Sequence, residues 1–167
     1  MLTLGDYAFI SLSETQIFQS DLPHITHLFN DKYCFFLNSD DLYDPTIPLQ
    51  QNRSLGGTMF LWRKDLDPYV EILNPSSPSH LIALFKYPGS VLSVHFTLYM
   101  PTQGKDSQFF ADFAELRNSI DDINNSQDHP LMYLRGDVNI NHKNTQRFLM
   151  LKSLLNDYKF NKVDLGH

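Results

Sequence analysis

The chain has 167 residues, 42 % hydrophobic and 19 % charged, which is enough apolar material for one domain with a substantial core and far from the composition of a disordered chain. Its formal charge of −6 and pI near 5.5 exclude a broad basic surface for nucleic acid, so any such contact has to be local. The single cysteine, Cys34, excludes an internal disulfide framework or thiolate metal cluster, and no apolar run approaches the roughly 20 residues that span a bilayer.

The first residues, Met1 to Asp6, lack the basic segment of a signal peptide, so a soluble intracellular protein, nuclear or cytoplasmic, is expected. Thirteen Phe and eight Tyr tilt the expectation toward a sheet, because aromatic residues favour strands and large buried contacts. In chain order, Tyr7 to Leu12 reads as a first strand, Pro23 to Phe29 as a short helix with proline in its first turn, and Tyr33 to Leu37 as a second strand. Asn38 to Leu55, with Pro45 and Pro48, reads as a long surface loop. Gly56-Gly57 then opens a series of strands at Thr58 to Trp62, Tyr69 to Leu73, His80 to Phe85 and Val91 to Leu98, divided by Asp67-Pro68, Asn74-Pro75 and Pro88-Gly89.

The close spacing of these strands suggests an antiparallel meander. In the last of them Leu92, Val94, Phe96 and Leu98 alternate with Ser93, His95, Thr97 and Tyr99, as in a strand with one dry face. From Asp106 to about Ile123, the residues Phe109, Phe113, Leu116, Ile120 and Ile123 form one stripe of a helix that Asp106 or Ser107 could cap. Leu131 to Leu134 is a further strand, and Phe148, Leu151, Leu154, Leu155 and Tyr158 mark a helix from about Asn144 to Tyr158. There is no internal repeat or low-complexity tract. Arg135, Lys143, Arg147 and Lys152 gather late in the chain, where a solvated helix face competes with a binding patch as the explanation.

Chemistry concentrates in three segments. In Leu134-Arg135-Gly136-Asp137-Val138-Asn139 an apolar strand runs into Gly-Asp-x-Asn, which alone reads as a turn because these are common turn formers. In Ile10-Ser11-Leu12-Ser13-Glu14-Thr15 a strand terminates in a carboxylate, ordinarily solvated surface. In Phe96-Thr97-Leu98-Tyr99-Met100-Pro101-Thr102 a tyrosine ends a strand that Pro101 stops, ordinarily amphipathic packing. A carboxylate and an amide presented side by side at a strand end can, however, converge on one phosphate.

In chain order, with Gly56-Gly57 and a strand between the segment of Glu14 and that of Tyr99, these segments resemble the endonuclease/exonuclease/phosphatase superfamily, and within it the endonuclease domain of non-LTR (LINE-type) retrotransposon polyproteins. The resemblance runs from about residue 8 to the C-terminus. It implies a four-layer α/β sandwich of two mainly antiparallel sheets flanked by helices, incomplete in this chain, with the active site at one edge of the sheets. It further implies that Glu14 ligates Mg²⁺ (or Mn²⁺), Tyr99 contacts the scissile phosphate, Asp137 orients or deprotonates the attacking water, and Asn139 holds a phosphate oxygen of a DNA substrate. Hard divalent ions favour carboxylate oxygens and stabilise charge on a phosphodiester under in-line attack, which fits those roles chemically.

The match is not complete. Such proteins begin with a strand carrying an Asn near the metal, and they end with a strand carrying an Asp and then an Asp-His pair. Neither is found here, which suggests truncation at both ends and a weak or inactive nuclease. The terminal Leu165-Gly166-His167 is unlike a Ser-Asp-His sequence, and the other histidines lack metal-ligand spacing. Thr97 stands where the family often has Asn two positions before the tyrosine. A phosphatase of phosphorylated lipids or small molecules, or a non-catalytic remnant serving as a binding module, are the alternatives, since fold analogy does not separate them.

Overall fold

The computed structural model describes residues 7–29, 31–39, 56–73, 77–125, 130–140 and 145–160. Among these, two sheets form. One has the order β1-β3-β2, with β1 (Phe9–Ser13) and β2 (Tyr33–Asn38) both antiparallel to β3 (Thr58–Arg63). The other has the order β4-β5-β6-β7. In it β4 (Val70–Leu73), β5 (His80–Phe85) and β6 (Ser93–Tyr99) are antiparallel neighbours, and β7 (Leu131–Asp137) lies parallel to β6.

The expected meander therefore holds only for β4 to β6. The Gly-Gly-led β3 belongs to the other sheet, where it fills the place between β1 and β2. A parallel neighbour needs a crossover rather than a hairpin, and helix α2 (Asp106–Asn124) supplies the one from β6 to β7. Helix α1 (Leu22–Phe29) precedes β2, and α3 (Thr145–Asp157) follows β7. The divider Asp67-Pro68 lies within a 3₁₀ helix, Lys64–Tyr69, which also takes in Tyr69, the expected first residue of β4.

The alternation of side chains along the strands builds the layers. Phe60 and Trp62 of β3 meet Leu81 and Ala83 of β5 between the sheets, with Phe9, Cys34 and Phe36 against them. Met59 and Leu61, on the opposite face of β3, pack with Tyr33 and Leu37 against Leu22, Ile25 and Phe29 of the α1 region. On the far side of the second sheet, Val94, Phe96 and Leu98 pack on Phe109, Phe113, Leu116 and Ile120 of α2 and on Leu151 and Leu154 of α3. Helix, sheet, sheet and helices thus form a four-layer α/β sandwich.

This arrangement corrects several readings. β6 has two dry faces, not one: His95 and Thr97 are as buried as Val94 and Phe96, because a central strand of a sandwich is covered on both sides. The strand of β7 continues through Gly136 and Asp137, so Gly-Asp is the end of the strand and not a turn after it. Neither Asp106 nor Ser107 caps α2; its N-cap residue is Lys105, with no side-chain cap bond, and Asp106 is engaged elsewhere. Phe148 is exposed while its neighbour Arg147 is buried, so the inward stripe of α3 begins one residue earlier than its aromatic suggests, and Arg147 leaves the supposed basic patch. The expected loop after Asn38 lies mostly outside the described residues, as do Lys143 and His167. No helix among the described residues is long and apolar enough to cross a membrane.

Candidate active site

The strand register brings one end of every inner strand together. Ser13 pairs with Thr58 and Thr58 with Asn38, while Tyr99 pairs with Asp137. The two sheets are pinned at this end by Asn38, which is fully buried and whose Nδ2 donates to the carbonyls of Ser77 (3.1 Å) and His80 (2.9 Å). Glu14, which follows Ser13, therefore emerges from one sheet, and Tyr99, Asp137 and Asn139 from the other.

Glu14 is held by its backbone. It has a φ of 55°, Gln16 has 53°, and Thr15 and Gln16 donate to the carbonyls of Gly57 (3.2 Å) and Gly56 (2.8 Å). Gly57, at φ +93°, leaves no room for a side chain, since a Cβ there would meet the Thr15 hydroxyl at 2.8 Å and the Asn38 carbonyl at 3.2 Å. The Gly-Gly pair is thus the seat of the segment that carries Glu14. One oxygen of Glu14 accepts from Gln16 Nε2 at 3.1 Å, and the side chain is otherwise exposed.

Gly136 has the same role on the second sheet. Its φ is +120°, and a Cβ would lie 2.1 Å from the Leu98 carbonyl oxygen, so only glycine lets β7 approach β6 closely enough to set Asp137 beside Tyr99. Asn139 then turns back, at φ 49°: its backbone N–H donates to Asp137 Oδ1 at 2.8 Å and its Nδ2 to the Met100 carbonyl at 2.7 Å. The motif read as a possible turn is a strand end followed by an Asx-type turn.

Glu14, Asp137 and Asn139 all lie close enough to the Tyr99 side chain to act on its hydroxyl. Burial raises its pKa first, then the negative charges of Glu14 and Asp137, then an interaction with the Glu14 carboxylate; the Asn139 side chain opposes them. Tyr99 is therefore kept a neutral phenol, a hydrogen-bond donor. Thr97, on the same face of β6, has a buried hydroxyl with no partner among the described residues. His80 and His95 are buried, whereas His24 and His27 are exposed on α1.

Sequence reasoning missed the supports of the Tyr99 segment. Tyr99 N–H donates to the Ser79 carbonyl at 2.8 Å, and the Ser79 hydroxyl donates to the buried carboxylate of Asp112, whose other oxygen takes Gln108 Nε2 at 2.6 Å. On the opposite side, the wholly buried Arg147 donates to the carbonyls of Pro101 (2.7 Å) and Thr102 (3.1 Å) and pairs with Asp106, its guanidinium lying 4.0 Å over the Phe109 ring. A usable signal existed: Asp112 falls within the apolar stripe Phe109, Phe113, Leu116, and Arg147 falls in line with Leu151 and Leu154. A charge inside a helix's dry stripe has to be paired.

Glu14 and Asp137 supply hard carboxylate oxygen donors, and their joint negative potential at Tyr99 suits a divalent cation. Among the described residues no group of three or more His, Cys, Asp or Glu gathers to hold an ion. The donor set fits an ion that keeps much of its water, such as Mg²⁺, and does not fit a closed cage.

No protein-family model and no curated protein matches the sequence. Solved structures do. Truncated Caenorhabditis elegans TDP2 (tyrosyl-DNA phosphodiesterase 2) superposes with a TM-score of 0.53 at 14 % identity over 81 % of this chain and 51 % of that one. D. rerio TDP2 humanized by 14 mutations gives 0.51 at 17 % identity over 84 % and 56 %. The chain spans about half the length of these structures.

Proposed function

From the endonuclease/exonuclease/phosphatase fold that the chain has, we propose that it is part of a divalent-metal-dependent phosphodiesterase that cuts DNA. The observation that carries this reading is the meeting of Glu14, Asp137 and Asn139 at the Tyr99 hydroxyl, from strand ends of two different sheets. A structural role for these residues would not require two exposed carboxylates to be brought to one half-buried phenol. The structural neighbours carry the name tyrosyl-DNA phosphodiesterase 2, which supports a phosphodiester joined to DNA as the substrate class, and the order of Ser-Glu-Thr, Gly-Gly, Tyr-x-Pro-Thr and Gly-Asp-x-Asn supports a LINE-type retroelement endonuclease as the source.

In the proposed reaction Tyr99, neutral, donates a hydrogen bond to a non-bridging oxygen of the scissile phosphate, and Asn139 holds a second oxygen. Asp137, with Oδ1 fixed by the Asn139 N–H, accepts a proton from water on its other oxygen. The water oxygen forms a bond to phosphorus, the bond to the leaving deoxyribose oxygen breaks, and that oxygen takes up a proton from solvent water. Glu14 would hold Mg²⁺ or Mn²⁺, whose contribution is to stabilise the negative charge of the phosphoryl oxygens. The acid–base histidine of the resemblance has no counterpart among the four, and a positioned group of that kind supplies about 10²–10⁴-fold in rate. Slow turnover is the expected behaviour of this chain.

The test is nicking of supercoiled plasmid with Mg²⁺ by the chain, its Asp137→Ala variant, and a version extended with its natural flanking sequence. Weak nicking that EDTA and Asp137→Ala both abolish, and that extension increases, supports the reading. Absence of nicking by the short and the extended chain alike counts against it.

A further inference from the structure

Tyr133, Arg135 and Asp137 alternate along β7, so all three project from the face opposite Met132 and Leu134, which pack toward the helices. Among the described residues β7 is the last strand of its sheet, and Tyr133, Arg135 and Asp137 are exposed. The row is also ordered from within: the His95 and Tyr133 rings stack with centroids 4.9 Å apart and planes 19° apart, and the Arg135 guanidinium lies 5.5 Å from the Tyr133 centroid. The stack climbs from a buried histidine between the sheets to an exposed cation two residues from Asp137.

Arg135 has no ion pair or hydrogen bond among the described residues. An aromatic ring behind it fixes the plane of its fork without occupying its N–H donors, and a planar fork matches phosphate oxygens two at a time. Consecutive residues on one strand face stand about 6.6 Å apart, so Arg135 is placed to reach the phosphate next to the one that Asp137 would act on. In a chain of formal charge −6, a held cation here supplies the local attraction that the overall charge denies to a polyanion.

We propose that Arg135, stacked on Tyr133, is an anchor for the sugar–phosphate backbone of the DNA strand being cut. The inference rests on the reading of Asp137 and Tyr99 as a DNA phosphodiesterase site and adds to it the residue that holds the strand in register. Tyr133 acts through Arg135, since its ring is engaged by the His95 ring and by the guanidinium.

Binding of a fluorescently labelled 20-base-pair duplex, followed by anisotropy in EDTA so that no strand is cut, tests this across a salt series. Loss of one phosphate contact lowers the slope of log K against log salt by about 0.9. Arg135→Gln is expected to show that drop together with roughly tenfold weaker binding, the range for a charge-assisted hydrogen bond. Arg135→Lys keeps the charge and is expected to keep the slope while losing a few-fold in affinity; Tyr133→Leu is expected to do the same, since it removes only the support. A wild-type chain that binds the duplex and an Arg135→Gln variant equal to it in both affinity and slope would overturn the anchor while leaving the phosphodiesterase reading standing. A wild-type chain that fails to bind the duplex overturns both.

Discussion

Replacing Gly136 by alanine adds one methyl group at the point where β6 and β7 come closest. The new Cβ would lie 2.1 Å from the Leu98 carbonyl oxygen, 2.7 Å from its nitrogen and 2.9 Å from its carbonyl carbon, where ordinary contact begins near 3.4 Å. All three atoms are backbone of the buried Leu98, so no side chain can swing aside. The methyl costs about 1–2 kcal/mol for the positive φ and about 1–3 kcal/mol for overpacking, and parting the strands forfeits ladder bonds at about 0.5–1.5 kcal/mol each. A loss of about 3–5 kcal/mol follows, equivalent to a fall in Tm of roughly 6–20 °C for a domain of this size. Gly89 and Gly104 provide internal controls, because both have positive φ, +76° and +89°, and a Cβ at either would meet nothing within 4 Å. Their alanine variants carry the conformational cost alone, so urea unfolding is expected to show losses near 1–2 kcal/mol. A Gly136→Ala variant no less stable than those two would refute the close-approach argument, and with it the claim that glycine is what sets Asp137 beside Tyr99.

Arg147→Met removes a buried cation that serves two backbone carbonyls and Asp106; because Asp106 is half exposed, it is not left stranded, and a loss of about 2–4 kcal/mol in urea unfolding is expected. Arg147→Lys is expected to recover less than half of that loss, since an ammonium lacks the planar fork. Burial first, then Arg135, lowers the His95 pKa to about 4, so the folded state resists protonation and stability falls as pH drops from about 6.5 toward 4, by about 3 kcal/mol at pH 4. His80, lowered by burial against the opposing charge of Asp112, acts in the same direction; His95→Leu is expected to flatten, not abolish, the slope between pH 6.5 and 4, and an unchanged slope would refute the assignment. Calorimetric titration with Mg²⁺ is expected to show weak binding that Glu14→Gln removes, whereas binding that survives this variant would place the ion elsewhere.

The residues Glu14, Tyr99, Asp137 and Asn139 could be singled out from the sequence because each ends or follows an apolar strand, and strand ends are where a sandwich presents side chains to a ligand. The periodicity of Phe109, Phe113, Leu116 and Ile120 likewise fixed α2, since helical spacing of apolar residues has one physical solution. Local pattern could not assign β3 to a sheet of its own with β1 and β2, because pairing partners lie dozens of residues apart and alternation says only that a strand has two faces. Nor could it tell that both faces of β6 are dry, which hid the buried His95 and Thr97 among residues read as polar surface. Arg147 and Asp112 were charged positions in amphipathic helices until packing placed them against the backbone that carries Tyr99. The meaning of Gly136 also depended on the fold: as part of Gly-Asp-x-Asn it is an ordinary turn former, and only the parallel pairing with Leu98 makes the missing Cβ a requirement. Sequence records what each residue can do, but which backbone stands 2.1 Å from a would-be side chain is decided by strands brought together from distant parts of the chain.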